Sequence, residues 1–187
     1  TKRISPRQVT ILNVLEDQLD RFIDPAVVRE KLLDVAKRCS GPLILNADDQ
    51  NILLINKEVV STKTTWFGLD AALIAASKHG LGNAPTYQSH LPRPQVATEI
   101  DRLNGKQASG RVGNIAVEFA LPNRGVHFAL DAAAALESAR RYLGDKFDAQ
   151  LAAKTLDELP PVFARGEIAK VNGEDVEFIL VQNPMSM

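Results

Sequence analysis

The sequence predicts an α/β fold in which a parallel sheet comes first and antiparallel strands follow. Three observations predict it: short apolar runs alternate with helix patterns in the N-terminal half, a segment of alternating polarity spans 112–122, and a hairpin pattern lies near the C-terminal end. Hydrophobic residues make up 45% of the 187 residues, which is enough for one domain with a real core.

The first elements are interpreted as a strand, a helix and a second strand. The apolar run 9–14 predicts a buried strand, and 24–39 predicts a helix with Asp24 as N-cap and Pro25 at its first position. The run 43–46 predicts the next buried strand. A strand–helix–strand unit of this length is typical of a parallel crossover.

The middle of the chain gives weaker signals. The runs 52–55 and 64–69 predict short strands, and 70–80 predicts a short helix ended by a glycine. Residues 81–110 contain three prolines and show no clear period. We therefore expect a long loop or insertion there, without a metal.

Two helices are predicted after the alternating segment at 112–122, which itself predicts an antiparallel strand. The alanine-rich segment 130–144 predicts a helix that begins near Asp131 and ends at Gly144. Residues 148–159 predict a second helix, because two prolines follow it.

A β-hairpin is predicted near the C-terminal end. Its strands are 167–171 and 176–181, and Asn172-Gly173 between them is a strong two-residue turn signal. Since the sequence begins and ends close to strands, we expect it to be truncated at both ends relative to a larger protein.

Composition excludes several classes of function. The net charge is −1, so the chain lacks the excess of basic residues that would indicate nucleic acid binding. No apolar stretch approaches the ~18 residues that a membrane span needs. The N-terminal residues show no signal-peptide pattern, so a cytoplasmic location is expected. Cys39 is the only cysteine, and the three histidines lack metal-ligand spacing, which argues against a zinc site. No phosphate-loop motif occurs.

Polar side chains follow two of the predicted parallel strands. Gln18 and Asp20 lie in an acidic stretch after the first strand, and Asn46, Asp48 and Asp49 follow the second. Ligands of α/β sheets bind beyond the carboxyl ends of parallel strands, and carboxylates there can hold magnesium. Loop capping and solvated charge explain the same residues and are the more common cause of such a pattern, so spacing alone leaves both interpretations open.

The order of several motifs resembles that of the Mur ligase family. "NVLEDQLDRF" (13–22) is similar to the family's N-x-x-x-D-[HQ]-x-D-R-[YF] segment, and "LILNADD" (43–49) to the strand and loop that follow it. "TTWFGLD", "GVHFALDAAAALESARRYLG", "FARGE" and "LVQNP" resemble later family motifs in the same order. The resemblance spans nearly the whole chain and implies a Mur ligase central-domain-like fold over 1–160 that lacks the phosphate loop. Residues 161–187 would form the junction and first strands of a C-terminal ligase domain.

Gln18 makes the MurT branch of the family the most similar one, because amino-acid-adding members usually have histidine at this position. This resemblance implies an ATP- and Mg²⁺-using subunit of lipid II isoglutaminyl synthase. Its partner would be a GatD-like glutamine amidotransferase that supplies ammonia. The D-glutamate α-carboxyl of the peptidoglycan stem peptide would be activated as an acyl phosphate and then amidated.

The resemblance also implies site residues. On the nucleotide side, Gln18 and Asp20 would line the phosphates, and Asp131 would meet adenine. Arg165 would reach a phosphate from the domain junction, and Asn183 would meet the ribose. Asn46 and Asp48 would support the site. No catalytic residue and no protein metal ligand is implied.

Several departures from the family pattern leave alternatives open. Glu16 replaces an arginine, and Phe128 and Asp131 replace the two asparagines of the adenine motif. Stretch 81–110 stands where many MurT proteins carry a zinc ribbon. The alternatives are a non-catalytic Mur-ligase-like scaffold that has lost nucleotide binding, and another Mur-type ligase such as a folylpolyglutamate or cyanophycin relative.

Overall fold

A six-stranded sheet with helices on both faces forms most of the protein. The computed structural model describes residues 5–14, 24–59, 63–76, 91–160 and 165–179. The strands lie in the sheet in chain order, and two further strands form a separate sheet. Among the described residues, no helix combines the length and apolarity that a membrane crossing requires.

The parallel half of the sheet comes first, as predicted. Its strands are β1 (Val9–Ile11), β2 (Leu43–Asn46), β3 (Thr64–Leu69) and β4 (Thr98–Asn104), and all neighbouring pairs among them are parallel. The helices between them are α1 (Pro25–Lys37), α2 (Gln50–Glu58) and α3 (Ala71–Ala76). The carboxyl ends of β1 to β4 therefore lie at one edge of the sheet.

The first helix begins as the sequence predicts. Asp24 is its N-cap, and its carboxylate accepts a hydrogen bond from the Ala26 amide at 2.7 Å, with Pro25 in the first turn. An acidic N-cap satisfies one of the free N–H groups of the first turn, and proline at this position removes another.

The antiparallel half consists of β5 (Gln107–Val112) and β6 (Ile115–Ala120). Each strand follows a two-residue turn that begins with a glycine of positive φ, Gly105 at 62° and Gly113 at 61°. Glycine at the first turn position with positive φ is typical of hairpins. The predicted strand at 112–122 is confirmed as β6.

The prediction of a strand at 52–55 is wrong. These residues lie inside α2, which the Asp49 side chain caps by accepting hydrogen bonds from the amides of Asn51 and Ile52. Ile52, Leu53 and Ile55 are its buried residues. A short apolar run has no decisive period, so only the capping aspartate could have distinguished the helix from a strand.

The prediction of a loop over 81–110 is wrong for its second half, since 98–104 form β4 and 107–112 form β5. Residues 81–90 lie outside the described part of the chain. β4 and β5 were not recognised because few of their residues are apolar. Only Thr98 and Ile100 of β4 are buried, and the rest of that strand is polar or exposed apart from the partly buried Leu103.

Helix α4 (Val126–Leu143) begins five residues earlier than Asp131, so the prediction that Asp131 starts the helix is wrong. Gly125, with φ at 127°, precedes the first turn, and this backbone conformation is one that glycine adopts readily. The predicted end at Gly144 is confirmed. Helix α5 (Ala149–Asp157) begins at the N-cap Asp148, also as predicted.

Two hydrophobic clusters cover the two faces of the sheet. One lies under α4 and α5 and includes Ile44, Phe67 and Ile100, and the other lies under α1 and α2 and includes Leu43 and Leu45. Neighbouring residues of β2 thus belong to different clusters. A parallel strand buried on both faces explains its continuous apolar sequence.

A buried carboxylate stands at the interface between α4 and the sheet. Glu137 is fully buried and accepts hydrogen bonds from the hydroxyls of Thr65 at 2.7 Å and Thr98 at 2.8 Å. Arg140, one turn further along α4, donates to both of its oxygens at 2.7 and 2.8 Å. This arrangement ties α4 to β3 and β4 through groups that a sequence pattern of apolar residues does not reveal.

The predicted C-terminal hairpin is confirmed as β7 (Arg165–Val171) and β8 (Glu174–Ile179). Asn172 and Gly173 form its turn with φ at 54° and 89°. Two consecutive residues with positive φ are the pattern of the Asn-Gly hairpin turn.

Candidate functional site

The candidate site lies at the carboxyl edge of the parallel strands, where α/β folds bind ligands. There the turn from β2 to α2, residues 46–49, is fully buried although it contains one amide and two carboxyl side chains. Buried polar groups of this kind need partners, and each of them has several. We call Asn46, Asp48, Asp49, Arg93 and Glu99 the carboxyl-edge cluster.

Asn46 links the turn to the segment that leaves β1. Its side-chain nitrogen donates to the Leu12 carbonyl at 2.8 Å, and its side-chain oxygen accepts from the Asp48 amide at 2.8 Å. Asn46 therefore holds two neighbouring strand ends together at the edge of the sheet.

Asp49 holds the same segment two residues further along the chain, at Val14. One carboxylate oxygen accepts the Val14 amide at 2.6 Å, while the other caps α2. Asn51 adds a hydrogen bond from its side-chain nitrogen to the Val14 carbonyl at 3.0 Å. Burial raises the pKa of the Asp49 carboxyl to about 6, and the three backbone N–H groups that it accepts oppose this rise.

Asp48 points the other way, toward the end of β3. One of its oxygens accepts the Leu69 amide at 2.7 Å, and the other accepts Nε of Arg93 at 2.7 Å. Burial raises the pKa of the Asp48 carboxyl, and the ion pair with Arg93 opposes that effect. The same pairing raises the pKa of the Arg93 guanidinium against the opposing effect of burial.

Arg93 joins three parts of the edge. Besides Asp48, it donates to the Leu69 carbonyl at 2.7 Å and to a Glu99 carboxylate oxygen at 3.0 Å. Arg111 of β5 pairs with the second Glu99 oxygen at 3.3 Å. Positive and negative side chains therefore alternate along this edge, in the order Arg111, Glu99, Arg93 and Asp48.

Sequence reasoning missed Arg93, because it lies in the stretch interpreted as a loop. Its partner Asp48 is 45 residues away in the chain. A signal was present in the order Pro92-Arg93-Pro94: prolines on both sides restrict the backbone, so the arginine is presented from a stiff segment.

Gly68 leaves room for the Asp48–Arg93 pair. A Cβ at this position would lie 2.5 Å from an Asp48 carboxylate oxygen and 2.8 Å from an Arg93 nitrogen. Both atoms are ends of side chains, but each is held by a 2.7 Å hydrogen bond to Leu69. A side chain here must therefore displace the ion pair.

Gly68→Ala is accordingly expected to lower the free energy of unfolding by about 1–3 kcal/mol, the usual cost of overpacking. Denaturant titration of the two proteins measures the difference. In an Arg93→Met background the same substitution should cost less, because one of the two crowded atoms is gone. A Gly68→Ala protein as stable as the wild type would contradict the geometry.

The other predicted site residues are placed as follows. Gln18, Asp20 and Asn183 lie outside the described residues, and Arg165 is the first residue of β7, where the structure describes the backbone. Asp131 lies in the second turn of α4 with its side chain exposed. Among the predicted site residues whose side chains the structure describes, Asn46 and Asp48 lie together in one turn, and the nucleotide-binding roles stay predictions.

The described residues form no magnesium site by themselves. No group of three or more histidine, cysteine, aspartate or glutamate side chains among them could hold a metal ion. The four carboxylate oxygens of Asp48 and Asp49 each already accept a hydrogen bond from the protein. A divalent cation would have to displace these contacts.

Solved structures of Mur-type ligases share this fold. The chain aligns over 99% of its length with 40% of a pseudomurein peptide ligase type C from Methanothermus fervidus, with a TM-score of 0.73 and 14% identity. It aligns over 95% with 34% of MurF from Acinetobacter baumannii, with a TM-score of 0.69 and 16% identity. It also aligns over 95% of its length with 36% of the MurF ligase from Thermotoga maritima in complex with ADP, with a TM-score of 0.64 and 16% identity.

These likenesses confirm the predicted fold class, a mostly parallel sheet of the Mur ligase type with flanking helices and added antiparallel strands. The chain spans 40% or less of the length of each of these three ligases. No protein-family model and no curated protein matches the sequence. The chain therefore shares its fold with these ligases, at identities of 14% to 16%.

Proposed function

We propose that this chain is the central part of an ATP-dependent ligase that forms an amide bond on the peptidoglycan stem peptide. The observation that carries the proposal is the alignment of nearly the whole chain with peptide ligases of the Mur type, among them the pseudomurein peptide ligase at a TM-score of 0.73. One neighbour in the same group holds ADP, which supports the use of a nucleotide.

The finer proposal is amidation of the D-glutamate α-carboxyl of lipid II, with ammonia from a GatD-like glutamine amidotransferase. It rests on the similarity of the segment around Gln18 to the MurT branch. A carboxylate cannot be attacked by ammonia at a useful rate until one of its oxygens becomes a leaving group. ATP, when bound, would supply that activation by transferring a phosphoryl group. This reaction would take place in the cytoplasm.

The described residues contribute to the proposed site by holding its strand ends. Asn46 and Asp49 fix the backbone of Leu12 and Val14. The chain then continues directly to Gln18 and Asp20, the residues proposed for the phosphate side. Asp131, Arg165 and Asn183 are proposed to complete the nucleotide side from α4 and the C-terminal hairpin region.

The test is a reconstituted ligation by the protein expressed from its complete reading frame. It receives ATP, magnesium and a lipid II analogue with a free D-glutamate α-carboxyl, with either ammonium chloride or glutamine plus a GatD-type amidotransferase as nitrogen source. We expect phosphate release that depends on the analogue, and conversion of the carboxyl to a carboxamide by mass spectrometry. The same analogue with the carboxamide already present is the control.

Other outcomes would redirect the assignment. Phosphate release with an amino acid acceptor in place of ammonia would indicate an amino-acid-adding Mur ligase. Failure to bind ATP in a calorimetric titration would favour the non-catalytic scaffold. The contacts that already occupy the Asp48 and Asp49 oxygens give that second candidate its support.

A further inference from the structure

The segment before β4 is attached to the carboxyl edge through Arg93. Its guanidinium reaches Asp48, Glu99 and the Leu69 carbonyl, and its side chain is 37% exposed while that of Asp48 is 1% exposed. Arg93 is thus the cation that accompanies a carboxylate with almost no access to water. Removing one partner of such a pair leaves an uncompensated buried charge.

The position of Asp48 also affects the backbone around it. Its amide is held by the Asn46 side chain, which donates in turn to the Leu12 carbonyl, and the next residue, Asp49, accepts the Val14 amide. A shift of this turn would therefore also shift the segment that leaves β1, because hydrogen bonds join the two at Leu12 and Val14. Asp48 is the member of the turn with a contact to the segment before β4.

We propose that Arg93 is a positioning residue that, through Asp48 and the turn from β2 to α2, fixes the exit of β1 at residues 12–14. Its functional part rests on the proposed function, because this exit leads into the residues proposed for the nucleotide side. The guanidinium touches neither nucleotide nor substrate in this scheme. It acts by holding the Asp48 side chain in place through their 2.7 Å hydrogen bond.

Loss of Arg93 should act on the turn in two ways. Asp48 would either take up a proton or turn toward water, and in both cases its hydrogen bond to the Leu69 amide weakens. The turn then loses the contact that sets its position, and the bonds to Leu12 and Val14 open more often. Lysine keeps the charge but not the three-way contact, so it should restore the wild-type behaviour in part.

The experiment compares amide hydrogen exchange and ATP kinetics in the full-length protein. In Arg93→Met we expect the Leu69 and Val14 amides to exchange about tenfold faster or more, while amides of the β5–β6 hairpin keep their wild-type rates. The KM for ATP should rise about tenfold with kcat within about twofold. Arg93→Lys should lie between, and adding Arg93→Met to Asp48→Asn should change little further.

Arg102→Met is the matched control. Arg102 lies on β4, its side chain is 80% exposed, and it pairs only loosely with Asp101 at 3.7 Å. It should leave both readouts unchanged.

Two results would overturn the proposal. One is a Val14 amide whose exchange in Arg93→Met and Arg93→Lys equals that of the wild type. The other is an exchange rise of equal size in the β5–β6 hairpin, which would mean that Arg93 only adds overall stability. If the wild type neither binds nor turns over ATP, the proposed function fails, and the exchange data alone decide whether Arg93 positions the β1 exit.

Discussion

Replacing Glu137 by alanine is expected to lower the free energy of unfolding by about 3–5 kcal/mol, the cost of breaking a buried ion pair on one side. Glu137 has no exposed surface, and its two oxygens accept from Thr65, Thr98 and Arg140. Alanine would leave two buried hydroxyls without an acceptor and would remove the ion-pair partner of two partly exposed guanidiniums, those of Arg140 and Arg141.

The loss should exceed that of an ordinary surface salt bridge for a structural reason. Thr65 and Thr98 belong to β3 and β4, so Glu137 makes a polar contact between α4 and the middle of the sheet. An unsatisfied buried hydroxyl costs about 1–3 kcal/mol, and two are created together. The Arg140 side chain is 27% exposed, so water still solvates part of its guanidinium, and this limits its contribution to the loss of stability.

Two further variants test whether the loss of stability comes from the buried contacts of Glu137. Glu137→Gln keeps an acceptor oxygen and the side-chain volume, so it should cost clearly less than alanine. Glu30→Ala removes an exposed glutamate of α1 and should change stability by about 0.5 kcal/mol or less. Chemical denaturation of all four proteins measures the differences. Equal stability of Glu137→Ala and Glu30→Ala would show that the buried contacts contribute nothing net.

The parts of the fold that could be predicted from sequence have local causes. The start of α1 at Asp24-Pro25 and the turn at Asn172-Gly173 each depend on side chains or backbone preferences within a few residues. The strand β2 is buried on both faces, which explains its apolar run at 43–45. Such features need no knowledge of distant residues.

Two of the features that the sequence does not reveal, β4 and the role of Arg93, depend on contacts across the fold. β4 was hidden because its partly polar sequence is stabilised by pairing with β3 and β5 rather than by an apolar period. The same holds for the candidate site. Asn46 and Asp48 could be proposed because they follow a strand, whereas the pairing of Arg93 with Asp48 depends on the course of the chain between them.

The last prediction concerns Asp49, whose burial raises the pKa of its carboxyl from an ordinary value of 3.8 to about 6. Between these two pH values the folded chain binds a proton at Asp49 that the unfolded chain has released. Stability must then fall as the pH rises through this window, because the folded state gives up its proton last. The pKa difference corresponds to about 3 kcal/mol in all, of which about 2 kcal/mol falls between pH 4 and pH 7.

Asp49→Asn removes this titration, so the stability of the wild type relative to the variant should decrease by about 2 kcal/mol from pH 4 to pH 7. The amide also loses one acceptor, since Asp49 serves Val14 with one oxygen and the α2 cap with the other. That loss is the same at every pH and only offsets the curve. Urea unfolding at several pH values separates the slope from the offset.

Asp148→Asn provides the matched control, because Asp148 caps α5 through the amides of Gln150 and Leu151 but is exposed. It reports what the loss of a capping carboxylate does without the burial that distinguishes Asp49. If both variants show the same pH dependence relative to the wild type, burial is not its cause. If the wild type instead gains stability over Asp49→Asn as the pH rises, the three backbone N–H groups outweigh desolvation, and Asp49 is a stabilising anion at the exit of β1.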